Sequence, residues 1–334
     1  MKHNIESIAN EAPARQELVQ FLAGFSDENR GQVFWRNRLA FWWDENPFST
    51  PDLPKGWVLR CDGAIVGFLG LIPFEYTCRG QVHRALAATT WRVAKEHRNA
   101  SLPMFMKWHQ LGSQFILLDT TPNTEVSKIL DRFGYRLQNT VSKYFFPLRG
   151  AGRGVKDLAQ SGLNLLNRLF LSRRPLKIVA LKDAFHINQG YAAPDRVEKH
   201  ISREYLTWYC NSPDVPKEFI GCVDQDGALS AYLILQPEKY AEQDVLSVID
   251  YFNARSERDE LAALIRHVSV HPECLSLRGN FSFLLVNVLG EVVFVRKPPG
   301  VIYRESDAKH YYSLPGQLAG LEKRCVLAEG DYGC

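Results

Sequence analysis

A chain of 334 residues, of which 46% are hydrophobic and 23% charged, is long enough for two globular domains and is not a disordered protein. Its formal net charge of +3 is too small to indicate a nucleic-acid-binding protein. The 7 cysteines are odd in number and scattered, which is typical of reduced residues and indicates neither a disulfide framework nor a zinc site.

The sequence carries no pattern of a membrane span or a secretion signal. No apolar run approaches the roughly 20 residues that are needed to cross a bilayer. The stretch MKHNIESIANEAPARQ at the N-terminus has no apolar signal-peptide core. We therefore expect a cytoplasmic protein.

The first part of the chain predicts two short helices followed by a hairpin. Apolar residues recur at helical spacing over Glu17–Ala23 and Val33–Trp43. After a polar loop, two apolar runs flank Asp62-Gly63, a dipeptide that supplies the positive φ values of a tight turn. The strands expected here are 57–61, 65–72 and 74–78.

The stretch 84–135 contains two units in which a strand is followed by a turn and a helix. The first runs from Arg84 to Trp91-Arg92-Val93, turns at Glu96-His97-Arg98 and continues in a helix opened by Pro103. Because the first N–H groups of a helix have no partner within it, such a turn is a potential anion site. The second unit has a strand at 115–118 and a helix from 123 to 133, and a further strand is expected at 142–147.

This order of elements, with two short motifs, resembles the GNAT superfamily, the Gcn5-related N-acyltransferases. Members bind acyl-coenzyme A in a V-shaped splay between two parallel strands, where a turn patterned Arg/Gln-x-x-Gly-x-Gly/Ala holds the pyrophosphate through its amides. The corresponding turn here reads Arg98-Asn99-Ala100-Ser101-Leu102-Pro103. A second family pattern, Asn-x-x-Ala-x-x-x-Tyr followed by Gly-Phe, corresponds to Asn123, Val126, Leu130 and Gly134-Tyr135.

The resemblance implies that acyl-CoA or acetyl-CoA is the co-substrate and that no metal takes part. It implies that the backbone of Trp91, Arg92 and Val93 pairs with the pantetheine arm and polarises the thioester carbonyl. The donor-binding residues expected from it are Trp91, Arg92, Val93, Arg98, Asn99, Ala100, Ser101 and Asn123. The small side chains of Ala85, Ala87 and Ala88 would leave room for a long acyl chain if they face the cleft.

The chain also departs from the family pattern. Ser101 and Pro103 stand where glycine or alanine is usual, and proline removes one N–H donor, although it is well tolerated in the first turn of a helix. Leu130 stands where many members have a tyrosine that protonates the leaving thiolate, and leucine cannot donate a proton. The sequence therefore predicts donor binding more directly than it predicts catalysis.

No general base is evident inside the donor strand, because the run from Leu86 to Val93 contains no carboxylate or histidine. Neighbouring residues, or a water held by Thr89 and Thr90, must then supply the base. The residues considered for catalysis are Trp91, through its backbone, and Glu75, His83 and Asp119.

The segment 148–177 differs in composition from the rest of the chain. It begins with glycines and then places leucines and a phenylalanine among several arginines and lysines, which predicts a basic linker helix. A connector packed between domains and a weak peripheral contact with an anionic membrane through 153–174 are both open.

The second half repeats the pattern of the first. The segment from Tyr205 echoes the one from Leu39, and both end in a proline. Trp42 corresponds to Trp208, Pro47 to Pro213, Lys55 to Lys217, and Asp62-Gly63-Ala64 to Asp226-Gly227-Ala228. A strand at 245–251, a helix at 257–270, a strand at 281–287 and an apolar run at 292–295 then follow in the same order. The turn at 252–256 lacks the phosphate-loop pattern, so we expect this copy to shape the acceptor pocket without binding the donor.

We therefore predict an α/β protein with a mixed (α+β) sheet, built from two tandem GNAT-like acyl-CoA N-acyltransferase domains. The expected domains are 1–147, which binds the donor, and 178–334, which is degenerate. Bacterial two-domain GNAT proteins, with a Gly-Asp signature comparable to Glu329-Gly330-Asp331-Tyr332, are one group with this organisation. FemABX-type aminoacyl transferases, which use aminoacyl-tRNA, are another. The strand and helix around Arg98 and the modest net charge favour the first.

The predicted activity is the direct transfer of an acyl group from acyl-CoA, or from acyl-carrier protein, to an amine in a ternary complex. The acceptor is expected to be a small-molecule, sugar or amino-acid amine, and no nucleic-acid partner is expected. A FemABX-like transferase and a non-catalytic scaffold remain open. His267 and His271 have a spacing that suits metal ligands, but Pro272 ends the helix directly after them, and they do not predict a metal site.

Overall fold

The structure is a computed structural model that describes residues 2–8, 12–25, 30–148, 176–188, 195–254, 259–289 and 301–329. Most of the predicted linker helix, including 153–174, lies outside the described residues, as do the apolar run at 292–295 and residues 330–334. In the part of the chain that is described, none of the helices is long and apolar enough to cross a bilayer.

The first half contains two helices, a hairpin and the two predicted strand-turn-helix units. Its elements are β1 (His3–Ser7), α1 (Ala12–Ala23), α2 (Gln32–Leu39), a π-helical turn (Ala40–Asp44), β2 (Gly56–Cys61), β3 (Ala64–Cys78), β4 (Gln81–Val93), a 3-10 turn (Lys95–Ala100), α3 (Leu102–Gln110), β5 (Ile116–Asp119), α4 (Thr124–Arg132) and β6 (Arg136–Pro147).

The second half repeats this arrangement with fewer helices among its described residues. Its elements are β7 (Lys177–Ala180), β8 (Arg196–Lys199), α5 (Arg203–Cys210), β9 (Glu218–Val223), β10 (Leu229–Tyr240), β11 (Gln243–Asn253), α6 (Asp259–Val270), β12 (Phe283–Leu289), β13 (Ile302–Ser313) and β14 (Glu322–Lys323).

The predicted strands at 65–72 and 74–78 form one continuous strand, β3, despite Pro73. This proline lies beyond the end of β2, whose last pair with β3 is Gly56↔Gly70. Its carbonyl accepts a hydrogen bond from the Asn46 side chain at 3.0 Å, on the edge that faces away from β4. Because a proline on an open edge removes no ladder hydrogen bond, the strand passes through it without a break.

The described strands form one sheet of 14 strands with a nearly palindromic order. From one edge to the other it reads β1-β2-β3-β4-β5-β13-β6-β12-β11-β10-β9-β7, and β8 and β14 extend from β3. Along this path two neighbouring pairs are parallel, β4 with β5 and β11 with β12. Each half therefore contributes five strands that end in a parallel pair, as expected for two copies of one pattern.

The two halves interlock at the centre of the sheet. Strand β13, from the second half, pairs with both β5 and β6 of the first half. Strand β6 pairs in turn with β12, in a register that runs from Phe283↔Pro147 to Leu289↔Val141. Each half thus gives its last long strand to the parallel pair of the other.

Aromatic packing links the helices of the two halves on one face of the sheet. Trp208 of α5 stacks on Phe41 with ring centroids 4.7 Å apart, and its indole N–H donates to the Phe41 carbonyl at 2.8 Å. Both side chains are buried, and a buried aromatic side chain stabilises a fold by roughly 3 kcal/mol or more. Trp208 is therefore a core residue that joins the copies, and its counterpart Trp42 is buried in the core as well.

Candidate functional site

The parallel strands β4 and β5 separate soon after they meet. Their pairing extends only from Ala85↔Ile116 to Ala87↔Leu118. Strand β4 continues to Val93 while β5 ends at Asp119, so a cleft of about 640 Å³ opens between them. The residues that line it are Phe25, Leu69, Ala88, Thr89, Thr90, Trp91, Arg92, Val93, Arg98, Ser101, Asp119, Thr121, Pro122, Asn123, Glu125, Val126 and Ile129.

A β-bulge in β4 turns its backbone toward this cleft. Thr90 has a positive φ of 50°, and the pairing of β4 with β3 shifts by one residue between Gly70↔Thr89 and Phe68↔Arg92. The extra residue of a bulge is left out of the ladder, and its backbone groups are re-aimed. The Trp91 ring stacks on Phe105 of α3 at 5.8 Å, which holds this part of the strand against the helix.

The 3-10 turn between β4 and α3 forms one wall of the cleft. Arg98 and Ser101 line the cleft, and the Ser101 hydroxyl and N–H both donate to the Arg98 carbonyl, at 2.7 and 3.1 Å. Pro103 lies in the first turn of α3, as its fixed φ favours. The start of α3 therefore faces the cleft with an arginine beside it, which suits an anionic ligand.

The N-terminus of α4 forms the opposite wall. The Asn123 side chain accepts hydrogen bonds from the N–H groups of Glu125 and Val126, both at 3.0 Å. This is an N-cap, so the carbonyl oxygen of the Asn123 side chain is engaged in ordering the helix end that lines the cleft.

The structure brings most of the predicted site residues to one place. Those that line the cleft are Trp91, Arg92, Val93, Arg98, Ser101, Asp119 and Asn123. Asn99 and Ala100 lie in the adjoining turn but do not line it. Of the three small residues of β4, Ala88 lines the cleft, whereas Ala85 and Ala87 are fully buried in the core. Ala85 and Ala87 therefore do not face the cleft, and of the three only Ala88 can leave room there for an acyl chain.

Two predicted catalytic residues lie elsewhere. Glu75 pairs with Arg84 across β3 and β4, and His83 pairs with Tyr76. Glu75 lies near the end of β3 and His83 near the start of β4. At about 3.3 Å per residue, His83 is roughly 16 Å along the strand from Ala88. Burial lowers the pKa of His83. Neither residue lines the cleft.

Comparison with known proteins identifies the fold. The sequence matches no protein-family model, and no curated protein is similar to it. A probable N-acyltransferase of unknown function from Enterococcus faecalis superposes with a TM-score of 0.58 at 9% identity, covering 93% of this chain and 72% of that one. A GCN5-related N-acetyltransferase from Anabaena variabilis gives 0.56 at 12% identity, with the same coverage of both chains. The chain has the GNAT fold. The predicted mixed α/β GNAT architecture is thereby confirmed.

The splay of the second GNAT-like copy is filled by its own chain. Strand β11 pairs with β12 as far as Val248↔Val286, and beyond that point the Ala328 N–H donates to the Ile249 carbonyl at 3.0 Å. Residues 322–329, which we call the C-terminal segment, thus reach β11 at Ala328, where a second cleft would open.

A buried polar cluster fills the rest of this space. Asp250 accepts hydrogen bonds from Tyr205 at 2.9 Å, Tyr232 at 3.1 Å and Lys199 at 3.3 Å. The cavity beside these side chains has a volume of about 20 Å³, too small for a cofactor.

A second pocket, which we call the junction pocket, lies where the two copies meet. It has a volume of about 290 Å³ and shares Thr121 and Pro122 with the donor cleft. The other lining residues come from β5–α4, β6, β12, β13 and the C-terminal segment, and they are Thr120, Val141, Lys143, Asn287, Leu289, Ser306, Asp307, Ala308, Lys309, His310 and Leu327.

A buried ionic cluster supports one side of the junction pocket. Glu329 is fully buried, with one carboxylate oxygen 2.5 Å from His310 Nε2 and 2.6 Å from Lys323 Nζ, while the other accepts from the Tyr76 hydroxyl at 2.6 Å. Burial alone would lower the pKa of His310, but Cys325 and Glu329 raise it to about 9. Burial alone would raise the pKa of Glu329, but Lys323 and His310 hold it well below its usual value.

Sequence reasoning missed His310 and the junction pocket. The sequence points to Glu329 only as part of the signature Glu329-Gly330-Asp331-Tyr332. Nothing in the local sequence around His310 connects it to residue 329 or to the β5–α4 loop. The pocket depends on β13 crossing into the first half, and a single sequence does not reveal such a crossing.

Proposed function

We propose that the protein is an N-acyltransferase that moves an acyl group from acyl-CoA, or from an acyl-carrier protein, directly to an amine. The observation that carries this proposal is the cleft between β4 and β5. Splayed parallel strands, a bulged donor strand and two helix N-termini meet there, in a chain with the GNAT fold.

The donor's pyrophosphate would bind at the turn that precedes α3. Arg98 supplies a positive charge, and the start of α3 supplies the positive end of the helix dipole. Few backbone donors remain there, because Pro103 has no N–H and the N–H groups of Ser101 and Met104 donate to the carbonyls of Arg98 and Ser101. Asn123 contributes by ordering the start of α4 on the other side. The pantetheine arm would then run along β4 from Trp91 to Val93, the part of the strand that lines the cleft.

Acyl transfer also needs a polarised carbonyl and a neutral amine. A backbone N–H of the bulged segment, aimed at the thioester oxygen, would stabilise the developing oxyanion by roughly 3 kcal/mol. Asp119, at the end of β5, is the one of the predicted side-chain bases that lines the cleft, and we assign it the removal of the amine proton. Leu130 is buried in the core and cannot return a proton to the thiolate, so that proton would come from water.

The acceptor would bind in the junction pocket. This pocket adjoins the donor cleft at Thr121 and Pro122, so an amine in it can approach a thioester held between β4 and β5. A volume of about 290 Å³ suits a small molecule, and the lysines, Asp307 and Ser306 at its wall suit a polar one such as an amino acid or amino sugar. Through β12 and β13 the second copy would shape acceptor specificity.

The proposal is tested by native mass spectrometry of the purified protein, followed by assays of thiol release from acetyl-CoA and longer acyl-CoAs with a panel of small amines. We expect a thioester or CoA to bind and one thiol to appear for each acylated amine. Absence of any thioester binding would overturn the assignment of the donor. Binding without turnover would instead support a scaffold, and turnover restricted to aminoacyl-tRNA would support the FemABX-like alternative.

The role of Asp119 has its own test. Asp119→Asn should lower kcat strongly at neutral pH, leave CoA affinity nearly unchanged, and shift activity toward higher pH, where the amine is already neutral. An unchanged pH profile would show that another group is the base.

A further inference from the structure

Three side chains that are common metal ligands converge beside the donor cleft. They are His3 on β1, Cys61 at the end of β2, and His97 in the 3-10 turn. One ligand atom of each lies within 4.8 Å of those of the other two. The residues are far apart in sequence, so the fold brings them together.

Two separate sets of backbone hydrogen bonds place these ligands. His3 and Cys61 are direct partners in the antiparallel pairing of β1 with β2, so their side chains leave the sheet on the same face. The backbone of His97 is held by a different set of bonds. Its N–H donates to the Ala94 carbonyl at 2.9 Å, and the Ala94 N–H donates to the Val66 carbonyl of β3 at 2.8 Å. The convergence therefore follows from the architecture of the sheet edge.

The spacing of the ligand atoms suits a tetrahedral ion. His3 Nε2 lies 3.0 Å from His97 Nδ1, and the two rings meet at 73°. Two nitrogen ligands of tetrahedral zinc, each about 2.0–2.1 Å from the ion, are separated by roughly 3.3 Å. The Asp62 carboxylate lies 3.7 Å from the Cys61 sulfur but is not among the ligand atoms that lie within 4.8 Å of one another, so the fourth position would be left to water.

We propose that His3, Cys61 and His97 form a binding site for a Zn²⁺ ion, with water as the fourth ligand. Two imidazoles and a thiolate are the ligand types that zinc prefers. When the ion binds, the Cys61 thiol loses its proton to solvent as the sulfur–zinc bond forms. The histidine that donates in the present hydrogen bond keeps its proton but moves it to the other ring nitrogen.

The ion would tie the β1–β2 edge to the turn that carries Arg98. Because Arg98 and Ser101 line the donor cleft, an ion at this position would hold one wall of the cleft in place from outside. Its role would be structural, since none of the three ligands lines the cleft.

A second cluster of the same ligand types, His310 with Cys325 and Glu329, does not support a metal site equally well. The Lys323 ammonium already lies 2.6 Å from the Glu329 carboxylate and 3.8 Å from the Cys325 sulfur. A positively charged side chain therefore occupies the place that a cation would take.

The site is tested on the untagged full-length chain, stripped with a chelator and titrated with Co²⁺ and then Zn²⁺. We expect one ion per chain, a thiolate-to-Co²⁺ charge-transfer band, and displacement of Co²⁺ by Zn²⁺. Cys61→Ser should abolish the charge-transfer band, and His97→Ala should abolish stoichiometric Zn²⁺ binding. Circular dichroism establishes whether each variant is folded. If one of the two variants does not fold, the other alone is enough to test the site.

A matched control is Cys274→Ser, which removes an exposed cysteine whose backbone N–H donates to the His271 carbonyl at 3.0 Å. This variant should bind the ion like the unmodified chain. The proposal is overturned if the stripped protein binds no Zn²⁺, if binding survives in Cys61→Ser and His97→Ala, or if Cys274→Ser is the variant that loses it. None of these outcomes depends on acyl transfer, so the test is independent of the proposed activity.

Discussion

Arg98 lies at the mouth of the donor cleft because the turn after β4 is short and closed by hydrogen bonds to its own carbonyls. The Ser101 hydroxyl and the Ser101 N–H both donate to the Arg98 carbonyl, and the turn leads directly into α3. The Arg98 side chain is exposed, so it contributes little to the core and is available to a ligand. We therefore expect replacement of Arg98 to lower the affinity for the donor and to leave the free energy of unfolding nearly unchanged.

Arg98→Ala should weaken CoA binding by about tenfold, since a hydrogen bond to a charged group contributes roughly 1.5 kcal/mol or more. Isothermal titration calorimetry with CoA measures this change. Arg132→Ala is the matched control, because Arg132 is an exposed arginine on α4 that does not line the cleft. Equal affinity in Arg98→Ala and the unmodified chain would remove this residue from the donor site.

Glu329 illustrates the opposite case, a charged residue whose role is structural support. It is fully buried and contacts Lys323, His310 and Tyr76, which join the C-terminal segment, β13 and β3. Removing one partner of a buried ion pair leaves the others uncompensated, at a cost of roughly 3–5 kcal/mol.

Glu329→Gln should lower the free energy of unfolding by about 3 kcal/mol near pH 6. The pKa of Glu329 is lowered from 4.5, so its contribution is present above that pH and is lost as the pH falls. The pKa of His310 is raised from 6.5 to about 9, so its contribution is complete below pH 6.5 and is lost as the pH rises through 9. Urea denaturation at pH 6 and at pH 10 should therefore show a smaller effect of Glu329→Gln at the higher pH.

The control is Glu125→Gln, because Glu125 forms an exposed i,i+3 pair with Lys128. This variant should leave the free energy of unfolding nearly unchanged. An effect of Glu329→Gln that does not depend on pH would contradict this account.

At the scale of elements, α4 couples the stability of the fold to the shape of the cleft. Asn123 caps the helix through two hydrogen bonds, and the capped end faces the donor cleft. The same residue therefore affects folding through its side-chain oxygen and ligand binding through its position.

Asn123→Ala should lower stability by about 1 kcal/mol, the usual effect of removing an N-cap. Asn123→Asp should keep that stability, because aspartate caps equally well, but should weaken CoA binding by placing a negative charge beside the expected pyrophosphate. Ser202→Ala is the matched control, since Ser202 caps α5 by accepting from the Tyr205 N–H at 3.1 Å, far from the cleft residues in sequence. Thermal denaturation and calorimetry separate the two effects, and unchanged CoA affinity in Asn123→Asp would mean that no anion binds near α4.

Local patterns predicted the elements well where one physical signal dominated. Asp62-Gly63 predicted the hairpin turn, and both residues have positive φ, 49° and 92°. The bulge at Thr90 was not predicted, because a β-branched residue at positive φ runs against its own preference and is held there by its neighbours in the sheet. The helix after Asn123 was predicted from its cap, whereas strand β1 has too few apolar residues to stand out.

At the scale of the molecule, the internal echo predicted two copies of one pattern but not how they join. The paired tryptophans and Asp-Gly turns are local, so a comparison of the sequence with itself reveals them. The crossing of β13 between β5 and β6 is a pairing over more than 150 residues, and its polar surface residues carry no sign of their partners. The junction pocket follows from this crossing, which is why the acceptor side could not be predicted from the sequence.

The interlocked sheet has a direct consequence for the predicted domains 1–147 and 178–334. A fragment 1–147 would lack β13, and so would leave one edge of β5 and both edges of β6 unpaired. Unpaired edges favour aggregation, and the fragment would also lose the packing of Trp208 on Phe41.

We expect the fragment 1–147 alone to be insoluble or unfolded. The full chain should unfold in one transition, measured by circular dichroism and by fluorescence. Co-expression of 178–334 with 1–147 should restore a folded complex that binds CoA. A soluble 1–147 with a dispersed NMR spectrum and full CoA affinity would show that the first copy is an independent domain, and that β13 adds to its sheet without being needed to form it.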